Sequence, residues 1–415
     1  MFEKELCLPN YAPEHNYVVH DFELPLPSYV TDIDFDAIIL TQTFLSKRQD
    51  PVFRKRLKEV YGFVGSMQAF KIALPQDDYT CSGILDRLLS DWKVDIVYPV
   101  CVNNWEILYP MFSKIGRLKQ GFTGYITDEM IERTHSPRPV VTRSIDVAYR
   151  AAKLPPVFGR LGQIKTEYGD LFLKVSAELP LKVDISTRLQ DTILSLNWYD
   201  FIEDTRCMLG VNSGSSLLDP EGIINQKVFS YMQMYPKASF EDVEAACFPG
   251  QEGKYEFTAI SPRNLECALF GTVQILAPGS YGGFMHREEH YIPLEPNMSN
   301  FSDIKPFFTD YPYLQNIADR CRETILSYPE LRYSNHNSDL IDEINSHTKL
   351  TELARLKSEP LIQRHHRDMT KIASAYWRKQ RIITKARQTL GDLGLRRFKY
   401  WIKHLMNRKL AENKT

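Results

Sequence analysis

The sequence predicts an α/β protein with two open, mainly parallel sheet halves followed by a basic helical extension. Three observations carry this. Short apolar runs of strand length alternate with helical stretches from Phe35 to about residue 335, which implies crossover connections and parallel strands. A proline-punctuated break at 134–139 (THSPRP) divides that alternation in two. Charge is also unevenly placed. Residues 351–415 hold 17 Lys and Arg against 5 Asp and Glu, a net of +12, so residues 1–350 carry −13 in a chain whose net charge is −1.

Taken in order, residues 1–30 are proline-rich and are expected to wrap a surface, and residues 31–135 form the first half. There DAIILTQTF (36–44) reads as a strand with its exit, DPVFRKRLKEVYGFV (50–64) as a helix and FKIALPQ (70–76) as a second strand. YTCSGILDRLLSDW (79–92) is a helix and VDIVYPVC (94–101) a third strand. Residues 136–350 form the second half. VTRSIDVAYR (141–150) opens it, GDLFLKVSAELPLKVDIS (169–186) supplies helix and strand, and ILSLNWYDFIEDTRCMLGV (193–211) ends in a strand leading to a 212–216 loop, NSGSS. FEDVEAACFPG (240–250) is a helix with a glycine stop, and YLQNIADRCRETILSYPEL (313–331) closes the half. Both halves are expected to be Rossmann-like.

A length of 415 residues favours two domains, and 43% hydrophobic with 25% charged residues excludes a disordered chain. No run approaches eighteen apolar residues, and the N-terminus MFEKELCLPNYAPEHNY lacks the apolar core of a signal peptide. Seven scattered cysteines without C-x-x-C point to reduced thiols in a cytoplasmic protein and away from a zinc site. In the tail, Met369, Ile372, Ala373, Tyr376, Ile383, Ala386 and Leu390 recur at helical spacing. After a turn at 391–394, Leu395, Phe398, Trp401, Ile402, Leu405 and Met406 form a second apolar stripe among basic residues. Residues 366–415 therefore suit an anionic membrane surface; packing back on the acidic body is the alternative, and no nucleic-acid partner is expected.

The densest chemistry lies in 258–300. Ser261 is a natural N-cap and Pro262 suits the first helical position. Gly271 stops a two-turn helix, and Val273–Leu276 reads as a buried strand. Unpaired N–H groups at such a helix start favour a phosphate. Glu266 sits in an otherwise apolar helix, so its carboxylate needs a partner; a ribose diol is one.

The segments SPRNLECALFG, ILAPGSYGGFMHREEHYIPL, NFSDI and IADRCRETIL resemble the C-terminal donor domain of bacterial GT-B glycosyltransferases, especially the spore-maturation-protein-like group, over roughly residues 143–335. Cys267 stands where those proteins usually carry alanine. The resemblance implies a GT-B fold, two Rossmann-like domains facing across a cleft, with an activated sugar donor (a nucleotide-sugar) in the second half, an acceptor glycan in the first and no essential metal or other cofactor. It implies that Glu266 takes the ribose hydroxyls and Arg263 the phosphate or neighbouring backbone. Arg160 and Lys165, in Gly159-Arg160-Leu161-Gly162-Gln163-Ile164-Lys165, look like the Gly-Arg…Lys element that neutralises a donor diphosphate. Tyr281, Gly282 and Gly283 follow a strand end where a ligand approaches backbone closely. Ser215, in the 212–216 loop, offers another phosphate contact. Asp77 and Asp78 close the strand FKIALPQ; one is expected to be the general base, preferably Asp78, and the other a helix cap.

With the basic tail, these features suggest an enzyme acting on a lipid-linked glycan at the inner membrane face, as in bacterial surface-polysaccharide assembly. A nucleotide-sugar epimerase, a transferase using a phosphoribosyl-type donor and a non-catalytic scaffold remain as alternatives. Two motifs are expected to be coincidences. His286-Arg287-Glu288-Glu289-His290 matches H-x-x-E-H without the helix that motif requires. Asp32-x-Asp34-x-Asp36 lies before the first strand, on the wrong side for metal-dependent transfer.

Overall fold

A computed structural model of the chain describes residues 5–381, apart from 349, 377 and 380. It has an α/β fold with two all-parallel sheets and a helical C-terminal region. Its segments interleave into two compact units: residues 5–13 with 36–348, and residues 14–35 with 350–381.

In the larger unit the first sheet has strands β1 (Ala37–Leu40), β2 (Phe70–Ala73), β3 (Ile96–Val97) and β4 (Arg117–Leu118) in the order β1-β2-β3-β4, each pair parallel. The crossovers are helical. α2 (Pro51–Tyr61) starts at Asp50, whose carboxylate accepts the Val52 N–H, with Pro51 at the first helical position. α3 (Ser82–Asp91) turns Leu85 and Leu89 inward. The short α1 (Cys7–Tyr11) packs beside Tyr125 and Tyr333 in the same apolar cluster.

Residues 134–139 carry the chain from the first sheet to the second. The junction is held by Arg143, which is fully buried and donates to the carbonyls of Arg138, Thr205 and Phe270 and to Thr272 Oγ1. Its burial lowers the guanidinium pKa to about 10, with the Arg138 charge adding to the effect. The sheet comprises β5 (Ile145–Arg150), β6 (Val183–Ser186), β7 (Thr205–Gly210), β10 (Val273–Leu276) and β11 (Ile292–Pro293) in the order β11-β10-β7-β5-β6, again parallel. α4 (Gly159–Ser176) and α5 (Leu196–Glu203) make its first crossovers, and Val147, Tyr149, Phe172, Leu209 and Ile275 are central to its core.

The 212–216 segment is not a plain loop. Ser213–Ser215 is a strand, β8, antiparallel to β9 (Phe257–Ala259). Between them stand α6 (Ile223–Met234) and α7 (Phe240–Cys247) around a small core of Leu217, Val228, Val243 and Phe248. α8 (Pro262–Leu269) and α9 (Tyr311–Ser327) follow as expected. The last helix, α10 (Tyr333–His347), departs from the expected boundary at 350 by packing on the first half. Its Asp339 accepts from Tyr98 Oη (2.8 Å), its Glu343 pairs with Arg117 (2.6 Å), and His336 stacks on Tyr125 at 4.4 Å.

In the smaller unit a helix over 352–376 lies against 14–35. Tyr29 donates to Asp368 (3.2 Å), the Arg364 guanidinium covers the Tyr29 ring (4.3 Å), and the Asp34 N–H donates to Ser358 Oγ (2.9 Å). The second apolar stripe, 395–406, and most of the proposed membrane segment lie outside the described residues. Among the described residues no helix is long and apolar enough to cross a membrane. All seven cysteines are buried and none is in a disulfide among the described residues.

Candidate active site

Numbered within its own half, the second sheet has strand order 2-1-3-4-5. The winding direction reverses between β5 and β7, and in such sheets ligands bind beyond the strand C-termini at that reversal. A recess of about 110 Å³ opens there, lined by Ala151, Leu154, Val211, Ser213, Lys165 and Arg263 among others. Ala151, Ala152 and Arg263 also line a larger cleft of about 550 Å³ that runs along Ser186, Arg188, Leu194 and Trp198.

Local sequence aims α8 into this recess. Asn264 Oδ1 accepts the Ser261 N–H (3.2 Å), and Pro262 needs no partner for the donor it lacks. The buried Asn264 amide donates to Gln274 Oε1 (2.8 Å), while Gln274 Nε2 returns a bond to the Asn264 carbonyl (3.0 Å). This pairing ties the helix to β10. Gly271, at φ +62°, then turns the chain where a Cβ would press on Pro137 at 3.3 Å.

Arg263 in the first turn of α8 lies 5.7 Å from the Tyr149 ring centre and 5.5 Å from that of Trp198. Its Nε is buried without a hydrogen-bond partner among the described residues. Lys165 reaches the same recess from α4. Burial lowers its pKa to about 8; the Arg263 charge pushes the same way and the Asp77 charge opposes it. Two cations thus face one small recess, and an anion placed there relieves both their desolvation and their repulsion. Glu266, one turn beyond Arg263, accepts from Trp198 Nε1 at 2.8 Å.

The first half contributes the end of β2. Arg48 is fully buried and donates to the carbonyls of Leu45, Gln76, Asp77 and Thr80 at 2.7–3.2 Å, gathering the 76–80 loop around one guanidinium. Asp77 adopts φ +51° and stays half-buried, its Oδ1 accepting from Tyr79 Oη at 3.0 Å. Tyr79 packs on Phe158 and Phe257 of the second half (centroids 6.2 and 6.0 Å). Asp77 is therefore the member of the acidic pair within electrostatic reach of Lys165.

Several expected contacts are placed elsewhere. Asp78 is fully buried and accepts the Val100 N–H (3.1 Å), so it faces the interior and not an incoming hydroxyl. Burial raises its pKa to about 6 despite the nearby Arg48 charge. Nor does it cap α3, whose preceding residue is Cys81. Arg160 points away from the recess to Glu241 (3.1 Å) and stacks on Phe240 (4.3 Å), because its place in the first turn of α4 faces α7. Lys165, five residues on, emerges on the recess side. The Ser215 hydroxyl is buried, accepting the Leu217 N–H and donating to the Leu217 carbonyl, so Ser213 is the recess residue of that segment. Tyr281 is buried with its hydroxyl on the Ala277 carbonyl, whereas Gly282 and Gly283 occupy left-handed turns outside the recess lining. His286–His290 form a turn in which the His286 N–H donates to His290 Nδ1 (2.9 Å). Trp198, Tyr149, Tyr79 and Arg48 were not singled out by sequence patterns, since each carries the ordinary signature of a core or surface side chain.

No protein-family model matches the chain, and no curated protein matches it in sequence. Among solved structures it is similar to Anabaena HepE in complex with UDP-glucose (12% identity, 75% of this chain and 79% of that one, TM-score 0.37). It is also similar to sucrose-phosphate synthase from Thermosynechococcus elongatus (10% identity, 75% and 74% covered, TM-score 0.39) and to TarM (8% identity, 82% and 58% covered, TM-score 0.43). Likeness this distant says nothing of residue roles or ligands.

Proposed function

We propose that the chain is a glycosyltransferase of GT-B architecture that moves a sugar from a nucleoside-diphosphate donor to an acceptor hydroxyl. The observation that carries this reading is the convergence of Lys165 and Arg263 on a recess at the reversal point of a parallel sheet, with Asp77 approaching from the other half. Arg263 and Lys165 hold the donor diphosphate, and Glu266 accepts hydrogen bonds from the ribose. Asp77 takes the proton of the acceptor hydroxyl as its oxygen bonds to the sugar anomeric carbon and the bond from that carbon to phosphate oxygen breaks. The departing diphosphate keeps the electron pair and is stabilised by the two cations. The basic extension at 366–415 is proposed to hold the enzyme at an anionic membrane carrying a lipid-linked glycan acceptor, in bacterial surface-polysaccharide synthesis.

The test is calorimetric titration with UDP, GDP, CDP and dTDP and their sugars, followed by product analysis with and without acceptor. Binding of one nucleotide-sugar and acceptor-dependent release of its nucleotide, both lost in Glu266→Ala, are expected. Isomerised donor without transfer would instead identify an epimerase, and absence of all binding would sink the donor site.

A further inference from the structure

Residues 187–195 carry the chain from β6 to α5 and bring Leu189, Leu194 and Ser195 into the wall of the larger cleft. The first part of this loop is firmly held. Asp191 Oδ2 accepts from Ser186 Oγ (2.6 Å) and Arg188 Nε (2.7 Å), and the Asp191 carbonyl accepts from Arg150 Nε at 3.1 Å, which fastens the turn to the end of β5. The last part is not at rest. Ser195 adopts φ +58° and ψ −144°, at the edge of the region that glycine alone enters without strain. Starting α5 does not account for this. The Ser195 hydroxyl makes no capping bond, and the serine that does cap a helix here, Ser239, is extended at φ −70° and ψ 168°. Beside the strained residue Leu194 is 70% exposed, and Leu189 on the held turn is 88% exposed. A strained joint and two uncovered leucines therefore meet at the rim of one cleft.

Resting on the nucleotide-donor reading, we propose that residues 192–196 form a lid that closes over the larger cleft when a nucleoside diphosphate enters, with Ser195 as its hinge. Strain sets the direction of the motion. The open loop carries the cost of the left-handed Ser195 backbone, and turning that residue into the ordinary extended region releases it. The same rotation re-aims 192–194 relative to α5. Closure also takes leucine surface out of water against the ring of the ligand, which is a gain only when a ring is there to be covered. Ligand-free, the loop therefore stays open and strained; with the ligand, strain relief and apolar burial act together. The held turn at 186–191 gives the lid a fixed base, so the movement is confined to the residues on either side of Ser195. None of residues 187–196 lines the smaller recess of Lys165 and Arg263, so a bare diphosphate bound there does not engage the lid.

The experiment measures affinities of the full chain for pyrophosphate and for UDP, GDP, CDP and ADP by calorimetry, and amide hydrogen exchange over 187–196 with and without each. Wild type, Ser195→Gly and Leu194→Ser are compared. Nucleotide is expected to slow exchange over 192–196, and pyrophosphate to leave it unchanged. Ser195→Gly, which accepts the left-handed backbone freely, should not lower the thermal midpoint of the ligand-free protein. It should nevertheless weaken nucleotide binding by roughly tenfold, because closure no longer releases strain. Leu194→Ser should weaken nucleotide binding by a similar roughly tenfold factor through lost burial. Pyrophosphate affinity should stay within about twofold in both variants, which shows that they are folded with the recess intact. Undiminished nucleotide affinity in Ser195→Gly overturns the proposal, as does exchange over 192–196 that ignores the nucleotide. Parallel loss of pyrophosphate binding, or a lowered midpoint in Ser195→Gly, overturns it by marking these residues as supports of the fold. A wild type that binds pyrophosphate but no nucleotide overturns the lid while sparing the diphosphate site. A wild type that binds neither removes the donor reading, and this proposal with it.

Discussion

Lys165 is the side chain whose energetics and function conflict most. Its ammonium is desolvated beside Arg263, and its pKa falls from 10.5 to about 8. Between those values the unfolded chain binds more protons than the folded one, so stability rises with pH across the window and the charged form is a burden below it. Lys165→Met is expected to raise the unfolding free energy near neutral pH by about 2 kcal/mol in urea titration, while weakening pyrophosphate binding at least roughly tenfold. In the wild type, pyrophosphate affinity should decline as pH passes above about 8 and Lys165 discharges; a flat profile by calorimetry would count against its role. The neighbouring acids divide differently. Asp78, with its pKa raised to about 6, contributes stability in its protonated form that is lost as pH rises from the ordinary carboxylate range through about 6. Asp78→Asn should therefore flatten that part of the stability profile and leave turnover near wild type, whereas Asp77→Asn should lower kcat by about a hundredfold or more.

At the level of elements, α8 is positioned by its start, its stop and one buried amide pair. Asn264→Ala leaves Gln274 Oε1 without its donor inside the sheet, while the backbone carbonyl that accepts from Gln274 Nε2 remains, and is expected to cost about 2 kcal/mol of stability. Its donor affinity should fall as well, because the helix carries both Arg263 and Glu266. β8 shows a harder constraint. A Cβ on Gly214 would lie 1.8 Å from the Phe257 carbonyl oxygen, so Gly214→Ala should separate β8 from β9 and destabilise the protein by about 3 kcal/mol or more in the same assay. The 212–216 segment, expected to offer a phosphate contact through Ser215, instead uses Gly214 to let two backbones meet. The strand and helix pattern was legible in 36–101 and 258–276 because strong apolar runs are bounded there by capping residues. β4, with two residues and one exposed side chain, has no such signal, and the β8–β9 pairing joins segments more than forty residues apart.

Over the whole larger unit, the halves are joined as well as apposed. The Cys81 N–H donates to the Asp219 carbonyl (2.8 Å), the Asp219 N–H to the Tyr79 carbonyl (3.2 Å), and Arg87 pairs with Glu221 at 2.7 Å. α10 adds a second tie by returning to the first sheet. The two halves are therefore expected to unfold in one calorimetric transition, and Arg87→Ala should change its midpoint little, since a half-exposed ion pair contributes about 1 kcal/mol or less. For the extension, deletion of 382–415 should abolish cosedimentation with anionic vesicles; unchanged binding would show that these residues do not hold the protein at a membrane.

What the sequence determined by itself is local: alternating strands and helices, the break near 134–139, the capped and glycine-stopped helix at 262–269, and the acidic body with its basic extension. Apolar periodicity, capping and charge are properties of neighbouring residues, and they survive whatever the chain does at a distance. Only the tertiary structure decided which of two consecutive aspartates is buried, that Lys165 enters the recess while Arg160 does not, and that Trp198 engages Glu266 and Arg263 together. Those outcomes depend on which helix face meets which sheet and on how far each group is removed from water, and neither quantity is carried by any short stretch of sequence.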